Sequence, residues 1–346
     1  MSTKRTADEI RKDYNEIKEK FSKFVKAWET TEVDAVDDCM LVDGFANFSI
    51  FGECHSRDLL KWNLKQRTRE TTYSRFNINS YVCLIEGNKA QQTAAIDGLL
   101  SDNTGEYAHY CFNGFFAVSW VKTAVGWRMA DIKFDLIVDD AHILGRGEDG
   151  SFIINEGPGD LSFVKNWAPI TDFIGWYEGV PLPVISGEYD APWYVIKNRE
   201  NIGTDEEQLE EMFYKYCFSI DYDSFKFFDN IFADDCVTYL PPLGIMDKRT
   251  ITATLKINRT GSRRCLHIGK PKSIEVNGNK AKLVFYHKAN AMIAPAFEIN
   301  EKTEKQEIAA SRWFIDAEKI NGQWRFVKFY YSYGAFIEGT EDISNE

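Results

Sequence analysis

From Ile10 the apolar residues return every third or fourth position, through Tyr14, Ile17, Phe21 and Phe24 to Trp28, a period that predicts an amphipathic helix. Thr6-Ala7-Asp8-Glu9 just before it has the form of a capping box. A short helix is predicted over 34–40, an extended aromatic segment over 45–51, and a helix capped by Ser56 that carries Leu59, Leu60 and Leu64. Beyond Phe76 the period drops to two. Strands are predicted at 81–85, 91–100, 107–120 and 127–137, with a turn at Glu86-Gly87-Asn88. Helices followed by strands joined through short turns predict an α+β fold, a curved antiparallel sheet packed on helices.

The same order then returns. Leu64-Lys65 recurs as Leu255-Lys256 and Gly87-Asn88-Lys89-Ala90 as Gly278-Asn279-Lys280-Ala281, each 191 residues later. Gly126-Trp127-Arg128 is echoed by Trp324-Arg325 at a shift of 197, which implies a longer loop late in the second copy. Thr204-Asp205-Glu206-Glu207 repeats the opening box. Shared offsets in one element order indicate a tandem duplication. In the second copy Leu209, Phe213, Tyr216 and Ile220 share a helical face, Asp223 is expected to cap a helix through Phe225, Phe228 and Ile231, and Asp247 the next. Strands are expected around His267 and over 282–292, 308–317 and 324–333, with Asn321-Gly322 as a hairpin turn. The chain therefore divides into domains at 1–137 and 204–338, an aromatic-containing linker at 138–203 that packs on both, and an acidic tail at 339–346.

Composition narrows the partners. With 346 residues and 44% hydrophobic content the chain can bury a large core, and no apolar run approaches the roughly 20 residues of a membrane span. Met1 to Arg5 lacks a secretory apolar segment, so a cytoplasmic protein is expected. Seven cysteines without a C-x-x-C pair fit reduced thiols. The net charge of −12 argues against nucleic acid. One basic cluster, Lys256, Arg259, Arg263 and Arg264, is either a solvated loop or a handle for a substrate phosphate or carboxylate. Five scattered histidines without H-x-H or H-x-x-x-H spacing predict no metal site.

Three residues suited to acid–base work stand in the second copy. Arg264-Cys265-Leu266-His267-Ile268-Gly269 reads as a strand with His267 on the side of Cys265, while Tyr216 lies on the helix that ends near Asp221. An imidazole can serve as base, a carboxylate can fix its tautomer, and a phenol can donate to an oxygen gaining charge. Tyr216 and Asp221 are five apart, so a shared site requires the helix to end or bend between them. Core and helix-end roles are open to all three. Tyr286, Trp313, Tyr331 and Tyr333 can line a pocket for a flat polycyclic substrate. His55 and His109 have no partner by spacing.

The ordered runs Tyr216-Cys217-Phe218-Ser219-Ile220-Asp221, Phe232-Ala233-Asp234-Asp235-Cys236, Leu266-His267-Ile268-Gly269 and Ile320-Asn321-Gly322-Gln323-Trp324 resemble a SnoaL-like domain of the nuclear-transport-factor-like superfamily. They are most similar to its bile-acid and scytalone dehydratase branch. The resemblance covers 205–335 in detail and 7–137 at the level of fold. It implies two tandem cone-shaped α+β barrels, each a bent sheet closed by helices about an apolar pocket. It also implies an elimination site of His267 as base, Asp221 as its orienter and Tyr216 as acid or enolate donor. Asn290 stands where the bile-acid enzymes have a further Asp; it can position substrate but cannot exchange a proton. His287 lies six residues before the place of the second scytalone-type histidine. A step back of 191 from Tyr216, Asp221 and His267 lands on Val25, Thr30 and Phe76, so the first copy is expected to be non-catalytic.

The expected function is a cofactor-independent, dehydratase-like carbon–oxygen lyase acting on a hydrophobic ring-bearing hydroxy-carbonyl compound. A coenzyme A thioester would give Arg263 and Arg264 a purpose. The alternatives are a non-catalytic small-molecule-binding or scaffold protein and a double-bond isomerase. The first copy would replace the second subunit of a dimer, giving an internal pseudo-dimer, with further homo-oligomer formation open.

Overall fold

The computed structural model describes residues 5–66, 73–101, 109–139, 144–146, 152–154, 183–261, 265–291 and 309–333. The chain forms two compact units, Met1–Ile202 and Gly203–Glu346. In the first, helix α1 (Ala7–Thr30) opens on the predicted box: the Thr6 hydroxyl accepts from the Glu9 N–H at 3.2 Å and the Glu9 carboxylate from the Thr6 N–H at 2.8 Å. It stops where Thr31 adopts a left-handed φ of 62°. A 3-10 turn at Val33–Asp38 takes the place of the short helix, and β1 (Met40–Phe48) starts earlier than the aromatic run suggested. After β2 (Gly52–Cys54), α2 (Arg57–Leu64) begins at Ser56, whose hydroxyl accepts from the Leu59 N–H.

Four long strands follow: β3 (Tyr73–Glu86), β4 (Lys89–Ser101), β5 (His109–Thr123) and β6 (Gly126–Asp139). The sheet order is β2-β1-β6-β5-β4-β3. Its pairs are antiparallel except β1 with β6, which is parallel because the chain returns to β1 only after a long crossover. The inner face is filled with aromatic rings. Trp28 lies edge-on to Phe134 at 5.1 Å, Phe76 at 5.2 Å and Phe48 at 5.7 Å between centroids. At roughly 25 cal/mol per Å² over the ~200 Å² of an indole, this ring alone contributes about 5 kcal/mol before entropy is counted.

A short ribbon, β7 (Leu144–Arg146) with β8 (Phe152–Ile154), precedes two single-turn helices, α3 (Gly187–Asp190) and α4 (Pro192–Val195). Residues 183–202 are strapped to the first unit. The buried Asp135 carboxylate accepts the N–H groups of Val184 and Ile185, Asp190 pairs with Lys133, and Asn201 bridges Ile85 and Cys83. Trp167, Trp176 and Tyr177, which marked the linker, lie outside the described residues, as does the acidic tail.

The second unit repeats the plan. Helix α5 (Asp205–Asp221), with its own box at Thr204 and Glu207, leads through a 3-10 turn at Phe225–Asn230 to β9 (Phe232–Leu240), β10 (Gly244–Asp247) and α6 (Lys248–Gly261). Then come β11 (Cys265–Asn277), β12 (Lys280–Ala291), β13 (Ala309–Ile320) and β14 (Gln323–Tyr333), in the order β10-β9-β14-β13-β12-β11. The one parallel pair is again the equivalent one, β9 with β14. One topology occurring twice, element for element, is a tandem duplication of an α+β domain. Asp223 does not cap the next helix; its φ of 54° ends α5, a conformation that a short polar residue tolerates. Asn321 and Gly322, at φ 52° and 78°, make the expected two-residue hairpin. No described helix is long and apolar enough to cross a membrane.

Candidate active site

Strand β11 forms one edge of the second sheet and lies along α5, bringing the end of that helix to its start. Asp221, the last residue of α5, has a fully buried carboxylate that holds His267 twice. One oxygen accepts the His267 backbone N–H at 2.9 Å, and the other pairs with ring Nδ1. A carboxylate at Nδ1 keeps the proton there and leaves Nε2 with its lone pair, the tautomer that a base requires. The His267 side chain is 15% exposed, so it is not sealed off as that of Asp221 is.

A second imidazole lies against the first. His267 pairs across the sheet with Ala289 and His287 with Gly269, so the two rings are diagonal neighbours on one face, 5.2 Å apart and inclined by 25°. His287 is buried, and its Nδ1 meets the hydroxyl of Ser311, its cross-strand partner, at 2.9 Å. Desolvation, aided by nearby His267, holds His287 well below the usual imidazole range, so it is neutral at pH 7. Its Nε2 and the indole Nε1 of buried Trp313 have no hydrogen-bond partner among the described residues.

Gly269 makes this packing possible: a Cβ there would stand 2.2 Å from the ring of Phe213, which stacks on Phe285 at 4.0 Å.

The other expected site residues divide. Tyr216 is buried on the inner face, with its ring 4.6 Å from Phe329, 5.5 Å from Trp313 and 5.7 Å from Phe228. Helix α5 neither ends nor bends between Tyr216 and Asp221, so at 100° per residue the two point to different sides of it. Trp313 and Tyr331 share the inner face with His287, at 6.1 Å each. Tyr286 does not: as the strand neighbour of His287 it faces the opposite side of β12, opposite Arg312. Arg263 and Arg264, with the side chains of Asn290 and Tyr333, lie outside the described residues, as does the His109 side chain. Ser311 was not foreseen. It carries no local signal, and only the β12–β13 register brings it to His287.

The first unit supplies an internal control. Thr31 and Asp223, both left-handed, end their helices two residues after Glu29 and Asp221. Glu29, not Thr30, is thus the counterpart of Asp221, and its carboxylate accepts the Phe76 N–H at 2.9 Å as Asp221 does that of His267. The ring partner is gone; the other Glu29 oxygen pairs with Lys26. In the matching strand registers Ile96 faces Gly114 where His287 faces Ser311, and Phe116 faces Phe134 where Trp313 faces Tyr331. Phe24 stands for Tyr216, against Phe116 as Tyr216 is against Trp313. The fold keeps its carboxylate, replaces the imidazoles, phenols and indole by hydrocarbon, and drops the hydroxyl for a glycine.

Residues 203–330 match the SnoaL-like domain family. Curated proteins give no match to the chain. Among solved structures, the Kfla4162 protein of Kribbella flavida is 18% identical over 38% of this chain and 95% of its own, at a TM-score of 0.35. A nuclear-transport-factor-2-like protein of Salmonella enterica serovar Typhimurium is 13% identical over 40% and 98%, at 0.33. A candidate scytalone dehydratase of Novosphingobium aromaticivorans is 20% identical over 37% and 83%, at 0.30. Among the described residues, no group of three or more His, Cys, Asp or Glu side chains could hold a metal ion.

Proposed function

We propose that the SnoaL-like unit is a cofactor-independent, dehydratase-like carbon–oxygen lyase acting on a hydrophobic ring-bearing hydroxy-carbonyl compound. The observation that carries this reading is the Asp221–His267 pair, in which a buried carboxylate holds Nδ1 of a partly exposed imidazole. His267 Nε2 removes the proton next to the carbonyl and Asp221 stabilises the imidazolium; Tyr216 leaves α5 on a different side from Asp221, and its place beside Trp313 on the inner face supports giving it the oxygen side. The His267 imidazolium then gives that proton to the leaving hydroxyl, which departs as water, while neutral His287, stacked on His267, would donate a hydrogen bond to the enolate through Nε2. The first unit is structural, and Arg263 and Arg264 would receive an anionic carrier such as coenzyme A. Five free cysteines among the described residues support work in a reducing compartment, the cytoplasm.

The test is turnover of polycyclic hydroxy-ketones followed by product mass. Loss of one water that disappears in His267→Ala while binding persists is the expected result; undiminished turnover in that variant would overturn the assignment of the base. Deuterium uptake from heavy water without loss of water marks an isomerase instead. A binding protein, the reading favoured by Asn290 in place of an acid, would bind these compounds and convert none.

A further inference from the structure

We propose that the SnoaL-like unit grips its ligand through an uncharged oxygen that accepts from the indole N–H of Trp313 beside His287, so that ketones, phenols and thioester carbonyls are taken and free acids are refused. Trp313 and His287 are 3% and 4% exposed, yet each has a ring nitrogen without a partner among the described residues. A buried polar group left unpaired is a net cost to folding. The fold does not require that cost, because the first unit closes the same positions with Phe116 and Ile96. Nitrogens kept where hydrocarbon packs equally well point to a ligand that completes them.

Their surroundings define what that ligand presents. The Trp313 ring stands edge-on to Tyr331 at 4.9 Å and to His287 at 6.1 Å, and His287 stacks on His267, so the indole belongs to the cluster that carries the base. The inward positions here are Phe285, His287, Ser311, Trp313, Phe329 and Tyr331, none of them a lysine or an arginine. The imidazole of His287 is neutral, and Asp221 already claims His267. A carboxylate entering this interior would lose its water and meet no free cation among the described residues, whereas a carbonyl oxygen needs only the N–H.

The inference rests on the dehydratase reading for where the ligand lies and adds the oxygen chemistry that it accepts. Binding is measured without turnover, so either can fail alone. The full chain is titrated with 1-tetralone, with tetralin, which lacks the oxygen, and with 1-naphthoate. Its nine tryptophans give nine indole resonances, among which that of Trp313 is assigned by contacts to Tyr331 and by its loss in Trp313→Phe. Tetralone should move this resonance downfield and tetralin should not. Trp313→Phe should weaken tetralone about 10-fold and leave tetralin unchanged, the effect of one hydrogen bond. Naphthoate should bind at least about 10-fold more weakly than tetralone. An unmoved resonance, equal tetralone affinity in the variant, naphthoate as tight as tetralone, or no tetralone binding would each overturn the proposal. If Trp313→Phe does not fold, the resonance in the natural chain decides.

Discussion

Replacing Asp221 by Asn changes one atom at the centre of the site, and the structure sets the outcome. The carboxylate accepts from two donors of one residue, the His267 backbone N–H at 2.9 Å and ring Nδ1. An amide has only one accepting oxygen. The backbone N–H cannot reverse its role, but the imidazole can: moving its proton to Nε2 makes Nδ1 an acceptor for the new NH2 group. Asp221→Asn should therefore keep both contacts while inverting the tautomer. What is lost is charge assistance at a fully buried carboxylate, about 1–2 kcal/mol of stability. Activity should fall about 100-fold to 10,000-fold, the range of a general base, because Nε2 no longer has a lone pair. Two-dimensional proton–nitrogen spectra of the imidazole report the tautomer without any substrate, and urea unfolding reports the stability. A His267 ring with its proton still on Nδ1 in the variant would refute the reasoning, whatever the rate.

Two further outcomes follow from the packing. His287 is neutral when buried, so above its unfolded value of about 6.5 it places no strain on folding, and below it the unfolded chain takes up a proton that the folded chain refuses. Stability should fall with acid by about 1.4 kcal/mol per pH unit from this group, a slope absent in His287→Phe; parallel urea midpoints for the two proteins from pH 7 to pH 5 would contradict it. Gly269→Ala drives a methyl into the Phe213 ring, which is buried and trapped against Phe285. A loss of about 1–3 kcal/mol is expected in thermal unfolding, and an unchanged midpoint would mean that the ring can move aside.

Much of this was legible in the chain because it is local. A threonine three residues before a glutamate, ahead of an apolar period, suffices for both opening helices, since capping and burial act within a few residues. Asn321-Gly322 sufficed for the last hairpin. The duplication was visible because two short motifs kept one spacing. That spacing failed upstream of Leu64. The loop between β1 and α2 is one residue longer in the first unit, so the carboxylate partner appeared to be Thr30 until the left-handed residues Thr31 and Asp223 fixed Glu29 in its place.

Amino-acid order thus determined the element plan, its repetition, and the pairing of a helix-end aspartate with a strand histidine. Tertiary structure alone decided which side chains share a face with that pair. His287 reaches His267 only through the β11–β12 register, Ser311 reaches His287 only through β12–β13, and Tyr286 is lost to the opposite face by the alternation of a strand. Strand register couples residues tens of positions apart through backbone hydrogen bonds that every residue can make, so the local sequence carries almost no record of it.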